Sequence, residues 1–263
     1  MKKFFLSYFI ASLFSSAAYA NLLVTPTRVE LDNKAQRSAV FSLVNKGKQD
    51  ARYNIYFEDK KLLPTGDYVS LENSSTSLAK FVRYSPRRVS LAPEEGTRVR
   101  MALRLPKGTP EGEYRSYIVF HQIPLAPTAI DNEQKNTSNT LSLSVTAYMR
   151  ISIPVILRLG ALSSEVFIDA DLDRKTQSSV EVTLVREGLR SSYGDIELFL
   201  VSSGQELENV GSYKNAAVYT ELTARTFAIE LSKPVERGRE LIVRYRESES
   251  LSDAKVVETR IVL

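Results

Sequence analysis

Cysteine is absent from the 263 residues. That removes disulfide stapling, thiolate nucleophiles and cysteine-ligated metal sites together. Histidine occurs once, as His121, so a Ser–His–Asp relay has one candidate base, and no Gly-x-Ser-x-Gly turn surrounds any serine. No glycine-rich phosphate loop occurs. Asp169-Ala170-Asp171-Leu172-Asp173 opens with calcium-loop spacing, then fails, with Arg174 where the loop needs glycine and Val180 where it needs glutamate. We expect a solvated turn there, with no metal, no cofactor and no enzyme activity. No stretch after residue 20 approaches the ~20 apolar residues of a membrane helix, and none shows an amphipathic helical face.

The first twenty residues have the marks of a secretory leader. Met1-Lys2-Lys3 is basic, Phe4 to Phe14 is mostly apolar, and Ala18-Tyr19-Ala20 is a small-x-small cleavage site. The mature chain is expected to begin at Asn21 and to be exported without membrane insertion. Two of the lysines behind the formal charge of +4 lie in the leader, leaving +2, too small an excess to argue for nucleic acid.

The remainder alternates apolar and polar residues at a period of two, between turns rich in Asn, Gly, Asp and Pro. Strands are expected at Leu22 to Leu31, Ser38 to Val44, Arg52 to Phe57, Phe81 to Tyr84, Arg98 to Leu105 and Tyr114 to Ile123. Pro26 marks an edge or a switch between sheets. After a polar connection from Pro124 to Asn139 comes the longest alternating run, Leu141 to Arg158. A second set follows, at Val166 to Ile168, Ser179 to Arg186, Ile196 to Val201, Ala216 to Thr220, Thr226 to Leu231, Glu240 to Tyr245 and Val256 to Leu263. The fold class expected is all-β, two sandwiches, with residues 21–154 forming the first domain, 155–263 the second, and Pro154 interrupting the ladder between them.

The run from Leu141 carries Leu, Leu, Val, Ala, Met, Ile, Ile, Val and Leu on one parity. At ~3.3 Å per residue it would span roughly 55 Å, against about 17–20 Å for a usual strand. It therefore bends between domains or lies partly outside its own sheet. Alternation alone leaves open whether its apolar side chains face their own core. Arg83, Arg87, Arg88, Arg98, Arg100 and Arg104 crowd one part of the first domain, as a solvated basic face or as an acceptor of acidic groups.

Phe81-Val82-Arg83-Tyr84-Ser85-Pro86-Arg87-Arg88-Val89, Gly112-Glu113-Tyr114-Arg115-Ser116 and the strand from Leu141 to Pro154 resemble the periplasmic pilus-assembly chaperones, the PapD-like family, and within it the branch serving archaic chaperone–usher pili. The resemblance covers the mature chain. It implies two immunoglobulin-like sandwiches set at an angle about a short hinge, a periplasmic location, pilin (fimbrial) subunits as partners, and delivery of these to an outer-membrane usher. It further implies that Leu141, Leu143, Val145 and Ala147 are donated to a subunit that lacks its own last strand. Arg28 and Arg150 would hold the subunit's C-terminal carboxylate. Glu113 resembles a buried acid that fixes the two domains, although the base it would need does not align with Pro154. The alternatives are a fimbrial subunit or adhesin and a secreted sandwich enzyme. Whether the free chain caps itself as a dimer stays open, since an uncovered apolar edge invites pairing.

Overall fold

The computed structural model describes residues 22–125, 147–173, 178–201, 207–235 and 238–262. The expected leader and Leu141, Leu143 and Val145 lie outside them. The described residues form seventeen strands, one 3₁₀ turn (Ala79–Phe81) and no α-helix. The first unit comprises β1 (Leu22–Thr25), β2 (Val29–Leu31), β3 (Ser38–Asn45), β4 (Ala51–Leu62), β5 (Tyr68–Leu71), β6 (Val82–Ser85), β7 (Arg88–Leu91), β8 (Gly96–Leu103), β9 (Gly112–Ile123) and β10 (Arg150–Leu159). The second comprises β11 (Ser164–Leu172), β12 (Ser179–Gly188), β13 (Ser192–Val201), β14 (Leu207–Val218), β15 (Ala224–Glu230), β16 (Glu240–Glu247) and β17 (Val256–Val262).

Each unit is a sandwich. In the first, the sheet β1-β3-β8-β6 packs on the sheet β2-β10-β9-β4-β5, with β7 also against β4. The alternation in β8 explains the layering, since Val99, Met101 and Leu103 are buried while Arg98 and Arg100 face water. Phe41 and Phe120 meet edge to face across the layers, with ring centroids 5.8 Å apart. Pro26 does mark a switch, because β1 pairs with β3 in one sheet and β2 runs parallel to β10 in the other. In the second unit, β11-β12-β15 packs on β14-β13-β16-β17. Leu62 of β4 and Ile156 of β10, both fully buried, cross over to join that second core.

Three expectations need revision. Pro154 does not interrupt the ladder, since β10 keeps an unbroken register against β9 from Arg150 to Leu159. Its parallel pairing with β2 covers residues 155–157 alone, so a residue without an N–H costs nothing on the side where no described strand lies. The expected division after residue 154 thus falls inside β10, and the chain leaves the sheet at Gly160, whose φ of 89° suits glycine. The aspartates at 169 and 171 lie on strand β11 and not in a turn. Carboxylates two apart are also the outward parity of a strand, and the buried Val166 and Ala170 settle the choice. Finally, residues 147–149 are not strand. The end of β9 at Gln122 and Ile123 is paired with β4, and the ladder to β10 begins only at His121 and Arg150.

Candidate functional site

Between the units lies a cleft of about 660 Å³, walled by Arg28, Lys60, Tyr68, Tyr117, Pro154, Tyr219 and Arg225 among others. The Pro26–Arg28 crossover delivers Arg28 to it. Because β2 and β10 run in parallel with Val29 beside Val155, Arg28 comes level with Pro154. Its guanidinium lies 3.8 Å from the ring centroid of Tyr193, from the second unit. Its Nε is buried without a hydrogen-bond partner, and no carboxylate pairs with it among the described residues. A positive charge held on an aromatic face without a counter-ion is a ready anion site.

The cleft is bounded by two interdomain clamps. In the first, Arg158 of β10 donates to Glu113 (3.0 Å), Glu30 (2.6 Å) and the Tyr193 hydroxyl (2.9 Å). Glu113, almost fully buried, also accepts from the Ser191 amide at 3.0 Å and from the Ser191 hydroxyl, and Glu30 accepts from Ser250 at 2.5 Å. Burial alone would raise the Glu30 carboxyl. Hydrogen bonds from Ser250 and Tyr193 and the charge of Arg158 outweigh it and hold that carboxyl below the usual range. In the second clamp, Arg115 of β9 pairs with Glu221 at 2.5 Å and lies 3.7 Å from the Tyr219 ring centroid. Glu221 also accepts from the Leu62 amide at 2.8 Å. Burial, reinforced by Tyr219, pushes the Tyr68 hydroxyl up to about 12, so it stays a neutral donor.

The expected site residues are only partly brought together. Arg28 is in the cleft. Arg150 is not, since β10 places it opposite His121, four residues or about 13 Å along the strand from Pro154. There it pairs with Glu58 while staying half-exposed. Lys60, held by Glu58 at 2.8 Å and by Ser152 at 2.9 Å, lines the cleft in its place. Glu113 has a base, but it is Arg158, four residues beyond Pro154. Ala147 is exposed. Arg225 was not foreseen. It reaches the cleft from β15, donates to the Ala217 carbonyl at 3.2 Å, and its Nε has no partner. Nothing in the local sequence singles it out, because its position depends on the packing of one unit against the other.

β10 also has an open edge. Residues 150–154 have β9 on one side and no described strand on the other. This row of backbone donors and acceptors leads directly to Arg28.

No protein-family profile and no curated protein matches the chain. Among solved structures it is similar to the class 5 fimbriae chaperone CfaA at 13% identity, over 92% of this chain and 100% of the other, with a TM-score of 0.46. It is also similar to the Pseudomonas aeruginosa CupB2 chaperone at 12% identity, over 91% and 100%, with a TM-score of 0.44. A third is the structure of the Salmonella enterica SafA pilin in complex with the SafB chaperone, at 11% identity, over 92% and 96%, with a TM-score of 0.47.

Proposed function

We propose that the protein is a periplasmic chaperone that captures pilus subunits along the open edge of β10, holds the subunit's C-terminal carboxylate at Arg28, and hands the subunit to an outer-membrane usher. The observation that carries this reading is the Arg28 guanidinium, without an ion pair among the described residues, at the end of a strand edge that no described strand covers. An incoming strand parallel to β10 brings its C-terminal carboxylate to Arg28. An antiparallel one would bring a positively charged N-terminus or an uncharged backbone, and the first of these is repelled. Leu141, Leu143, Val145 and Ala147, which precede this edge in the sequence, would supply the donated side chains. Arg150, at the start of β10, would meet the subunit's backbone or an acidic side chain further from its end. Glu113, through Arg158, supports the cleft by fixing the two units.

The magnitudes assign different tasks. Burying a Leu or Val side chain contributes about 1.5–3 kcal/mol, so the donated residues supply most of the affinity. One charge pair at ~4 Å contributes about 4 kcal/mol at an effective dielectric of 20, less desolvation, enough to select one register over a slip of one residue. The alternative of a fimbrial subunit is not favoured, because residues 22–31 are built into both sheets of the chain's own first sandwich as β1 and β2. The test is co-expression with a pilin from the same operon. Arg28→Ala should reduce recovery of the one-to-one complex at least tenfold, and a pilin extended by a few residues past its C-terminus should do the same to the unaltered protein. Full capture in both cases would overturn the anchoring role. Failure of the unaltered protein to bind any pilin would overturn the function.

A further inference from the structure

The outer faces of two sheets carry charge of one sign each. On β1-β3-β8-β6, the ladder registers set Thr25, Ser42 and Arg98 in one row, Val40, Arg100 and Ser85 in the next, and Ser38, Ala102 and Arg83 in a third. Arg104 follows on the same parity. No acidic residue lies in these rows. None of the four arginines has an ion pair among the described residues. Val40 is 46% exposed in the middle of this face and Leu23 is 51% exposed at its corner.

The face of β11-β12-β15 is the reverse. Glu165 stands beside Glu187, Asp169 beside Thr183 and Thr226, Asp171 beside Glu181 and Ala228, and Glu230 beside Ser179. No basic residue lies in these rows. At one corner Lys255 reaches Glu165 from outside the face at 2.5 Å. Asp169, Asp171, Glu181, Glu187 and Glu230 have no ion pair among the described residues. Phe167, 51% exposed, is at its apolar spot, in a row with Val185 and Ala224.

Solubility does not require this arrangement, for which interspersed signs suffice. The other sheet of the second unit has such a surface, with Arg244 paired to Glu258 (2.5 Å), Arg260 to Glu240 (3.0 Å) and Lys214 to Asp195 (2.9 Å). Setting Asp171 opposite Glu181 also costs stability within the fold, because like charges directly opposed across a ladder repel. Segregated charge of this kind is worth its cost where an oppositely charged surface covers it.

We propose that the two faces are the halves of one contact, with the basic face of the first unit in one copy docking on the acidic face of the second unit in another. Both faces offer a sheet surface with a central exposed apolar residue, Val40 on one and Phe167 on the other, within a surround of arginine or carboxylate. The patches differ, so the contact is head-to-tail and can extend past a dimer. Four strands ~4.8 Å apart and about four rows of side chains make a patch of roughly 300–400 Å², below the ~800 Å² per partner of a stable complex. The association is therefore weak and sensitive to salt, since the Debye length falls from about 30 Å at 0.01 M to about 8 Å at 0.15 M ionic strength. It leaves the β10 edge and the Arg28 cleft uncovered, so it is independent of pilin capture and differs from a dimer that caps the apolar strand.

Sedimentation velocity on the mature protein tests this over a range of concentrations at 10 and 300 mM salt. Growth of the weight-average mass with concentration at low salt, abolished at high salt, is expected. Arg98→Glu with Arg100→Glu should remove the growth, as should Asp171→Lys with Glu181→Lys, and mixing these two variants should restore it. All four positions are solvent-exposed, and the neutral pairs Arg98→Gln with Arg100→Gln and Asp171→Asn with Glu181→Asn give the same loss with less change of charge. A monomer at every concentration at low salt would overturn the proposal. So would association that persists at 300 mM salt and through both charge reversals, the behaviour of an apolar strand-capped dimer.

Discussion

Replacing Arg158 by methionine probes the clamp that sets the cleft. The substitution keeps most of the side chain's apolar stem and removes its charge. Glu113, its side chain 2% exposed, and Glu30, at 18%, would then share a site from which the cation between them is gone. Removing one partner of a buried pair typically costs about 3–5 kcal/mol, because the other charge is left desolvated. Here two carboxylates lose it, although Ser191 and Ser250 still donate to them, so the loss should lie in that range and not above it. Urea unfolding at pH 7 measures it. Two companions make the reasoning refutable: Glu113→Gln added to Arg158→Met should regain part of the loss, and lowering the pH from 7 to 5 should narrow the gap between the single variant and the unaltered protein, as the orphaned carboxyls take up protons. A loss below 1 kcal/mol that is independent of pH and additive with Glu113→Gln would show that the clamp contributes nothing to holding the units together.

Further outcomes follow from the same geometry. Glu30 titrates below its ordinary value of 4.5, so its contribution to stability is complete above pH 4.5 and is lost as the pH falls through the lower folded value; Glu30→Gln should flatten the acid limb of a stability-against-pH curve by that share. Leu62→Ala should cost about 2–5 kcal/mol and should lower the thermal midpoint of the second unit, because this β4 side chain is buried in that unit's core. Gly194→Ala should be poorly tolerated despite the small change, since a Cβ there would lie 2.0 Å from the Arg246 carbonyl oxygen across the β13–β16 ladder. A soluble variant with unchanged urea midpoint would contradict that packing.

Most strands were legible because apolar and polar residues alternate wherever one face is buried and the other is wet. β3, β8 and β12 are of this kind. β5 was missed because all four of its residues, Tyr68 to Leu71, are exposed and no alternation records its pairing with β4. Most of β14 was missed because its residues are largely polar and include Gly211. Pro154 was misread because a proline argues against a central strand, and whether a neighbour exists on its N–H side depends on where β2 ends up. In the cleft, Arg28 was expected from its place in a resembling first strand and does line it, whereas the separation of Arg150 from it follows from the β10 register. Arg158 and Arg225 gave no local signal.

The amino-acid sequence by itself determined the all-β class, the pairs of layers and the inward parity of nearly every strand, because hydrophobic burial at a period of two is a local property of the chain. Tertiary structure decided which charges meet. Glu30, Glu113, Arg158, Ser191 and Ser250 are scattered over 220 positions and become one clamp only when the two units pack, whereas none of the described acids comes to pair with Arg28. Coulombic partnership depends on distance in space, which alternation along a strand does not encode.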